Sequence, residues 1–431
     1  MKYTPIERFV KLEGTIQHYA WGGYDFLPQL LNIPNSDHKP FAEYWLGMHA
    51  NAPATVKHPR MGYDLPLDDY IDILKDTYLS LIKEKENIPS LQKNVPYLLK
   101  LLDIRDMLSI QVHPCKEDSY IGFERENQAG IPLDAFNRSY KDNNHKPELM
   151  VALSDFWLLH GFRSPEKLIQ IISTIPEFAF MLPLFKEGSY RKLYATLMEM
   201  EQEEVNRVLQ PLLERIQAGY ENDHFTKDDP NFWAARAAFT FNQPGKIDRG
   251  IFSIYLLNLV HLKKGEAIFQ DAGVLHAYLE GQNIEIMANS DNVLRGGLTH
   301  KHIDVAELIR HVTFQATIPQ LVSTRKDKAT QEHIYETPAT DFQLGFYTIR
   351  EGEEMDIKTD TIDILLLLEG EAKMEEYSFY GRYRYDLFEP SKPGDAYALI
   401  NSRVYIKGIA PQTVIYRATM PVLNPGHDSP K

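Results

Sequence analysis

The stretch Ile362–Met374, IDILLLLEGEAKM, decides the fold class. A short apolar run ends at Glu369-Gly370-Glu371, and a second short run follows. Run, glycine turn and run are the marks of two strands joined by a tight connection. The same pattern recurs upstream, where Ile251–Leu262 and Glu266–Phe269 flank Lys263-Lys264-Gly265-Glu266. Asn283–Met287, Gln343–Ile349 and Thr413–Ala418 read as further short strands, as do Val95–Leu102 and Met107–Val112. Many short strands separated by glycine-containing turns predict a jelly roll or barrel.

The rhythm changes over residues 164–245. Ser164 before Pro165 supplies a capping hydroxyl and a proline at the first helical position. Leu168, Ile171 and Ile172 then recur at helical spacing. From Arg191 to Gln217, Leu193, Leu197, Met200, Val205, Leu209, Leu212 and Ile216 repeat every three or four residues, with Gly219 placed as a C-terminal cap. Asp68–Lys85 has the same rhythm, and Asp304–Val312 reads as one more helix, with Asp304 as N-cap and Glu307 three residues on. The fold class is therefore mainly β with a helical insertion. Strands on either side of the insertion supply one barrel, and residues after about 325 a second. The tail Asn424–Lys431 is expected to be loose.

The chain has 431 residues, enough for two or three domains. With 43% hydrophobic and 25% charged residues it has the balance of a globular protein with a core. The formal charge of −14 argues against nucleic acid or an anionic membrane as partner. Cys115 is the only cysteine, which excludes an intrachain disulfide and a cysteine-rich zinc site and fits a reducing compartment. The opening MKYTPIERFV has no apolar core of a signal peptide, and no run of 18 apolar residues occurs, so a cytoplasmic location is expected.

Four short motifs carry candidate chemistry. In Ser109-Ile110-Gln111-Val112-His113-Pro114, Gln111 and His113 share one face of a strand while Val112 points away. An amide oxygen beside an imidazole suits a borderline metal, although such a pair is more often simply hydrogen-bonded. In Asn144-His145-Lys146-Pro147-Glu148, a lysine and a carboxylate two residues apart face one side; the plain alternative is an exposed charged turn. Gly273-Val274-Leu275-His276-Ala277-Tyr278 sets His276 and Tyr278 on one strand face, where a histidine satisfied inside a β core is the competing reading. In Ile286–Thr299, Arg295 before Gly296 and Gly297 offers a guanidinium with backbone room for a ligand, or merely a polar loop. Together Gln111, His113, Glu148 and His276 supply O, N, O and N donors and leave room for water or substrate, as a catalytic zinc site does.

These strings, with Tyr19-Ala20-Trp21-Gly22 and Ala42-Glu43-Tyr44-Trp45-Leu46-Gly47, stand in the order of the motifs of the type I mannose-6-phosphate isomerase family. The resemblance runs from about residue 14 to 302, and weakly, through Leu365–Gly370 and Arg417-Ala418, to about 420. It implies two cupin-type jelly-roll barrels (double-stranded β-helices). The implied domains are a discontinuous catalytic one over residues 1–160 and 246–325, a helical insertion over 161–245, and a metal-free cupin-like one over 326–431. It implies one Zn2+ per chain on Gln111, His113, Glu148 and His276, and Arg295 at the catalytic centre. Lys146, Glu285, Tyr278 and Asp291 are implied around the sugar, with Glu43 and Trp21, and phosphate contacts are implied at Lys100, Ser109 and Lys301. Where the family continues Leu-Thr with Pro-Lys, this chain has Leu298-Thr299-His300-Lys301, so a looser loop is expected there.

The implied reaction interconverts mannose 6-phosphate and fructose 6-phosphate through an enediol(ate). It needs a polarised carbonyl, a group to move the carbon-bound proton, and a grip on the phosphate. Lys146 and Glu285 are the expected proton handlers, and Arg295 the group that stabilises charge. The rivals are another metal-dependent cupin enzyme and a non-catalytic sugar-binding cupin. The expected partner is a phosphorylated hexose, and the oligomeric state stays open with a lean to a monomer. Between His333 and His427 there is no histidine or cysteine, so the second barrel cannot copy the metal site.

Overall fold

The computed structural model describes residues 7–57, 63–81, 95–377, 384–385 and 389–421. The end of the Asp68–Lys85 segment and the tail Asn424–Lys431 lie outside the described residues. The chain is mainly β, its strands pair antiparallel, and it divides into two compact units.

One unit comprises Met1–Leu102, Ile284–Asn289 and Val322–Lys431. Its largest sheet has nine strands, in the order Thr324–Lys326, His333–Tyr335, Gln343–Arg350, Gln412–Thr419, Ile362–Glu369, Ala396–Ile400, Phe9–Glu13, Thr55–Lys57 and Leu65–Pro66. A four-stranded sheet contains Glu354–Lys358, Arg403–Gly408, Ala372–Tyr377 and Arg384–Tyr385. The two sheets share a core. Tyr347, Ile349, Leu365, Leu367, Tyr397 and Leu399 come from the first, and Met374, Val404 and Ile406 from the second. Their spacing of two along each strand is the half-buried pattern. The turn at Gly370 needs its glycine, with φ +77° and a would-be Cβ 2.1 Å from the Gln412 carbonyl oxygen. In the same unit Glu43–His49 pairs with Thr15–Gln17 and with the strand Tyr97–Ile104, which sets Trp45 opposite Lys100.

The other unit comprises Asp103–Asn283 and Ser290–Leu321. In it, Phe156–Phe162 lies between Leu257–Leu262 and the long strand that begins at His276, Glu148–Ala152 pairs with Ala267–Gln270, and Ile110–Val112 pairs with Leu294–Gly297. The helices Pro165–Thr174, Met181–Glu199, Gln202–Glu221, Pro230–Phe241 and Gly250–Leu256 cover the strands. One core unites both, with Ile110, Val112, Trp157 and Leu159 from strands against Leu168, Leu193, Leu209, Trp233 and Ile251 from helices. Ile110 and Val112 are thereby drawn to the helical side. Gln111 and His113 must face the other way.

Ser164 caps the helix at Pro165, its Oγ accepting from Lys167 N at 3.4 Å, and Asp304 caps Val305–His311, its Oδ1 accepting from Glu307 N at 2.9 Å. Four expectations change. Ile251–Leu262 is a helix, Gly250–Leu256, followed by a strand, Leu257–Leu262. Every residue from Gly250 to Leu257 is buried, so the run carries no period to tell helix from strand. The Arg191–Gln217 segment spans two helices that break near Met200. Gly219 lies inside the second, which ends at Glu221 with Asn222 as its C-cap; a Cβ at Gly219 would meet Phe225 Cε2 at 2.6 Å, so packing is what demands glycine. Glu307 does not close a capping box, because its carboxylate accepts from Tyr140 Oη at 2.6 Å and pairs with Arg125 at 2.8 Å. Among the described residues, no helix is long and apolar enough to cross a membrane.

Candidate metal centre and active site

Strand register gathers the donors. Ile110–Val112 pairs with one strand that sets His276 opposite Gln111 and with another that sets Arg295 opposite Gln111. Residues directly opposite in an antiparallel pair share a face, so Gln111, His276 and Arg295 project together, with His113 beside them. Glu148 opens its strand directly after Pro147. One ligand atom each from His113, Glu148 and His276 lies within 4.8 Å of the others, and all three residues are buried.

The hydrogen bonds around this trio fix its chemistry. His113 Nδ1 lies 2.8 Å from the Asn292 carbonyl oxygen, and His276 Nδ1 lies 2.9 Å from that of Val274. A carbonyl only accepts, so Nδ1 carries the hydrogen in both rings and Nε2 is the nitrogen left to face the centre. Burial pushes His113 down to about 4, which keeps it neutral at pH 7. Burial alone would raise the Glu148 carboxyl, but Lys146 and His113 beside it outweigh that and hold it well below the usual carboxylate range. Glu148 Oε1 stands 3.0 Å from Lys146 Nζ and 3.4 Å from His113 Nε2, and Oε2 stands 3.3 Å from His276 Nε2. His113 Nε2, His276 Nε2 and Glu148 Oε2 are all buried without a hydrogen-bond partner. Three buried polar atoms left so, close to one another, are what a divalent cation would satisfy.

Other residues singled out from the sequence lie in the same unit as the trio. Lys146 is buried, and burial pushes the Arg295 guanidinium down from its ordinary value. Tyr278 is buried, its ring 6.5 Å from that of His276. Ser109 is half-buried, two residues before Gln111. Asp291 and Lys301 are exposed. The turn after Arg295 is tied down despite the missing proline. Asp248 accepts from Leu298 N at 2.8 Å and Thr299 N at 3.1 Å, which holds Leu298 at φ +50°, and His300 Nδ1 meets Gln243 Nε2 at 3.1 Å.

In the other unit Glu43, Lys100 and Glu285 form a second buried charged group. Lys100 Nζ lies 3.5 Å from Glu43 Oε2, 3.7 Å from Glu285 Oε2 and 4.9 Å from the centre of the Trp45 ring, and Trp45 Nε1 donates to Glu43. Lys100 is thus flanked by two carboxylates. Trp21 is half-buried and stacks on Tyr19, ring centres 5.8 Å apart.

Sequence reasoning missed three residues in the unit that holds the trio. His160 stands opposite His276 in register, buried, with neither ring nitrogen hydrogen-bonded, and burial lowers it to about 4. Asp142 and Asn292 knit the loops that carry Lys146 and Arg295. The only sequence signal was the spacing of Asp142 and Asn144, which forms an Asx turn with Asn144 N donating to Asp142 Oδ1 at 2.9 Å.

Residues 9–165 match the phosphomannose isomerase type I catalytic domain. The mannose-6-phosphate isomerase of Escherichia coli K12 is 36% identical over 368 residues, covering 84% of this chain and 90% of its own. The human mannose-6-phosphate isomerase is 32% identical over 394 residues, with 84% and 88% covered. The crystal structure of mannose 6-phosphate isomerase from Salmonella typhimurium, bound to fructose 6-phosphate and zinc, superposes with a TM-score of 0.80 at 32% identity over 96% of this chain and 100% of that one. Relatives matched along nearly their whole length, together with a shared fold, show that this chain belongs to the type I phosphomannose isomerase family.

Proposed function

We propose that the chain is a zinc-dependent isomerase that interconverts mannose 6-phosphate and fructose 6-phosphate by moving a proton between C1 and C2. The observation that carries this reading is the buried convergence of His113 Nε2, His276 Nε2 and Glu148 Oε2, none with a hydrogen-bond partner. Two imidazoles and a carboxylate, joined by the amide oxygen of Gln111, fit one borderline divalent ion. Zinc bound there supplies Lewis-acid polarisation of the sugar carbonyl.

The chain's own residues do the rest. Arg295, forked and charged, faces the same side as the donors and stabilises the negative charge that develops on the enediolate. Lys146 and Glu285 hold or move the proton taken from carbon. Lys146 Nζ stands 3.0 Å from Glu148 Oε1, beside the proposed metal ligands. Tyr278, Asp291, Glu43 and Trp21 bind and orient the sugar. Ser109, Lys100 and Lys301 take the phosphate, which supplies binding energy far from the reacting carbons.

The architecture proposed is a pair of cupin-type jelly rolls. Residues 1–160 and 246–325 serve catalysis, residues 161–245 are a helical insertion, and residues 326–431 form a cupin-like domain without metal. The enzyme acts in the cytoplasm, its oligomeric state open with a lean to a monomer. The test is to strip the metal with a chelator, assay mannose 6-phosphate conversion, and refill with zinc. Activity should vanish and return; full turnover by demonstrably metal-free protein sinks the reading.

A further inference from the structure

We propose that Asn292 is a positioning residue of the metal centre, the clasp that holds the His113 ring and the Lys146–Glu148 segment in one geometry. This rests on the zinc reading above and assigns a role to a residue outside the proposed metal-ligand and sugar-binding sets.

The side chain of Asn292 is fully buried and uses its whole hydrogen-bonding capacity. Its Oδ1 accepts from Lys141 N at 2.7 Å and from Asp142 N at 3.2 Å. Its Nδ2 donates to the carbonyl oxygens of Asp142 at 2.8 Å and Asn144 at 2.9 Å. The backbone carbonyl of the same residue accepts from His113 Nδ1. One residue thereby joins the segment leading to Lys146 and Glu148 to the ring whose Nε2 faces Glu148. Asp142 reinforces the joint, accepting from Ser290 Oγ at 2.8 Å and Asp291 N at 2.7 Å.

Few side chains can do this. Two acceptor and two donor positions must sit on one short planar group. Aspartate lacks the donors, glutamine is a methylene too long, and serine has only one oxygen. Ligand orientation fixed by an outer partner is worth about 10- to 100-fold in metal affinity.

The test measures zinc affinity by competition with a chromophoric chelator in the parent, Asn292→Ala and Ser290→Ala, with the melting temperature of each zinc-free protein alongside. Asn292→Ala should bind zinc about 10- to 100-fold more weakly. Cobalt loaded in place of zinc should show a shifted visible spectrum, because the His113 ring turns. Ser290→Ala removes the hydroxyl that donates to Asp142 and the Asn144 carbonyl and accepts from Asn292 N, leaving the Asn292 side chain in place, so it should weaken zinc in the same direction by a smaller factor. It also decides the matter if Asn292→Ala does not fold. A lower zinc-free melting temperature with an unchanged zinc constant and cobalt spectrum would make the clasp merely structural and overturn the proposal. A parent that binds no zinc would instead defeat the functional reading on which the proposal stands.

Discussion

Replacing Lys146 by methionine should destabilise the zinc-free protein and make its response to zinc larger. Lys146 Nζ stands 3.0 Å from Glu148 Oε1, with the two side chains only 10% and 2% exposed. Charges about 4 Å apart at an effective dielectric of about 20 attract by about 4 kcal/mol. Removing one member of a buried pair costs about 3–5 kcal/mol, because the other charge is left uncompensated. Lys146→Met keeps the length of the stem and deletes the charge, so the zinc-free variant should lose about 3–5 kcal/mol at pH 7. Zinc brings positive charge to the same carboxylate, so it should stabilise the variant more than the parent and bind it more tightly. Turnover should nevertheless collapse, because the group proposed to handle the proton is gone. Urea denaturation with chelator and with excess zinc measures both effects, and a coupled assay for fructose 6-phosphate measures the third. A zinc-free variant within about 0.5 kcal/mol of the parent, or an equal response to zinc, would refute the electrostatic reasoning.

Acid should weaken the zinc-free protein well before its carboxylates titrate. His113 and His160 fall from 6.5 to about 4 in the folded chain, so below pH 6.5 the unfolded chain takes up protons that the native state refuses. Each histidine should cost about 3 kcal/mol as pH falls from 6.5 to about 4. The shift at Glu148 runs in the same direction and gives stability that is present above its unfolded value, about 4.3, and lost only as pH falls through its depressed folded value. Urea midpoints across pH 4–8 check the order; a flat profile between 6.5 and 5 would contradict it. Arg295→Lys should lower kcat by about 10²- to 10³-fold, the usual loss of a charge-stabilising donor. Steady-state kinetics showing full turnover would remove Arg295 from that role. Lys301→Ala should raise KM for mannose 6-phosphate by about tenfold or more while kcat changes less, since a remote phosphate contact acts first on binding. Unchanged KM would place the phosphate elsewhere.

Much of this was legible in the sequence. Ser164-Pro165 and Asp304 marked helix starts because capping is local chemistry. The spacing of Gln111 and His113 put both on one face because strand geometry alternates. That Glu148 and His276 stand with His113 could not follow from spacing, since it depends on pairings between distant strands; the complementary donor types and the resemblance were what suggested it. Gly250–Leu256 misled because a helix buried on every side has no polar stripe. Asn292 looked like any polar loop residue, and its importance comes from backbone groups of residues 141–144, which a string of side chains does not announce. The pairing of Lys100 with Glu43 and Glu285 was equally hidden, since it rests on contacts between remote segments.

The sheet that holds Phe9–Glu13 between Ala396–Ile400 and Thr55–Lys57 also governs how the protein emerges from the ribosome. Arg8 donates through Nη1 to the carbonyl of Asn401, 393 residues away. At translation speeds of about 5–20 residues per second, the first strand waits roughly 20–80 s for its neighbour to be made. Through that interval a nascent edge of buried Phe9, Val10 and Leu12 stands open to strand-seeking strangers, so chaperone supply should govern the yield of the newborn chain.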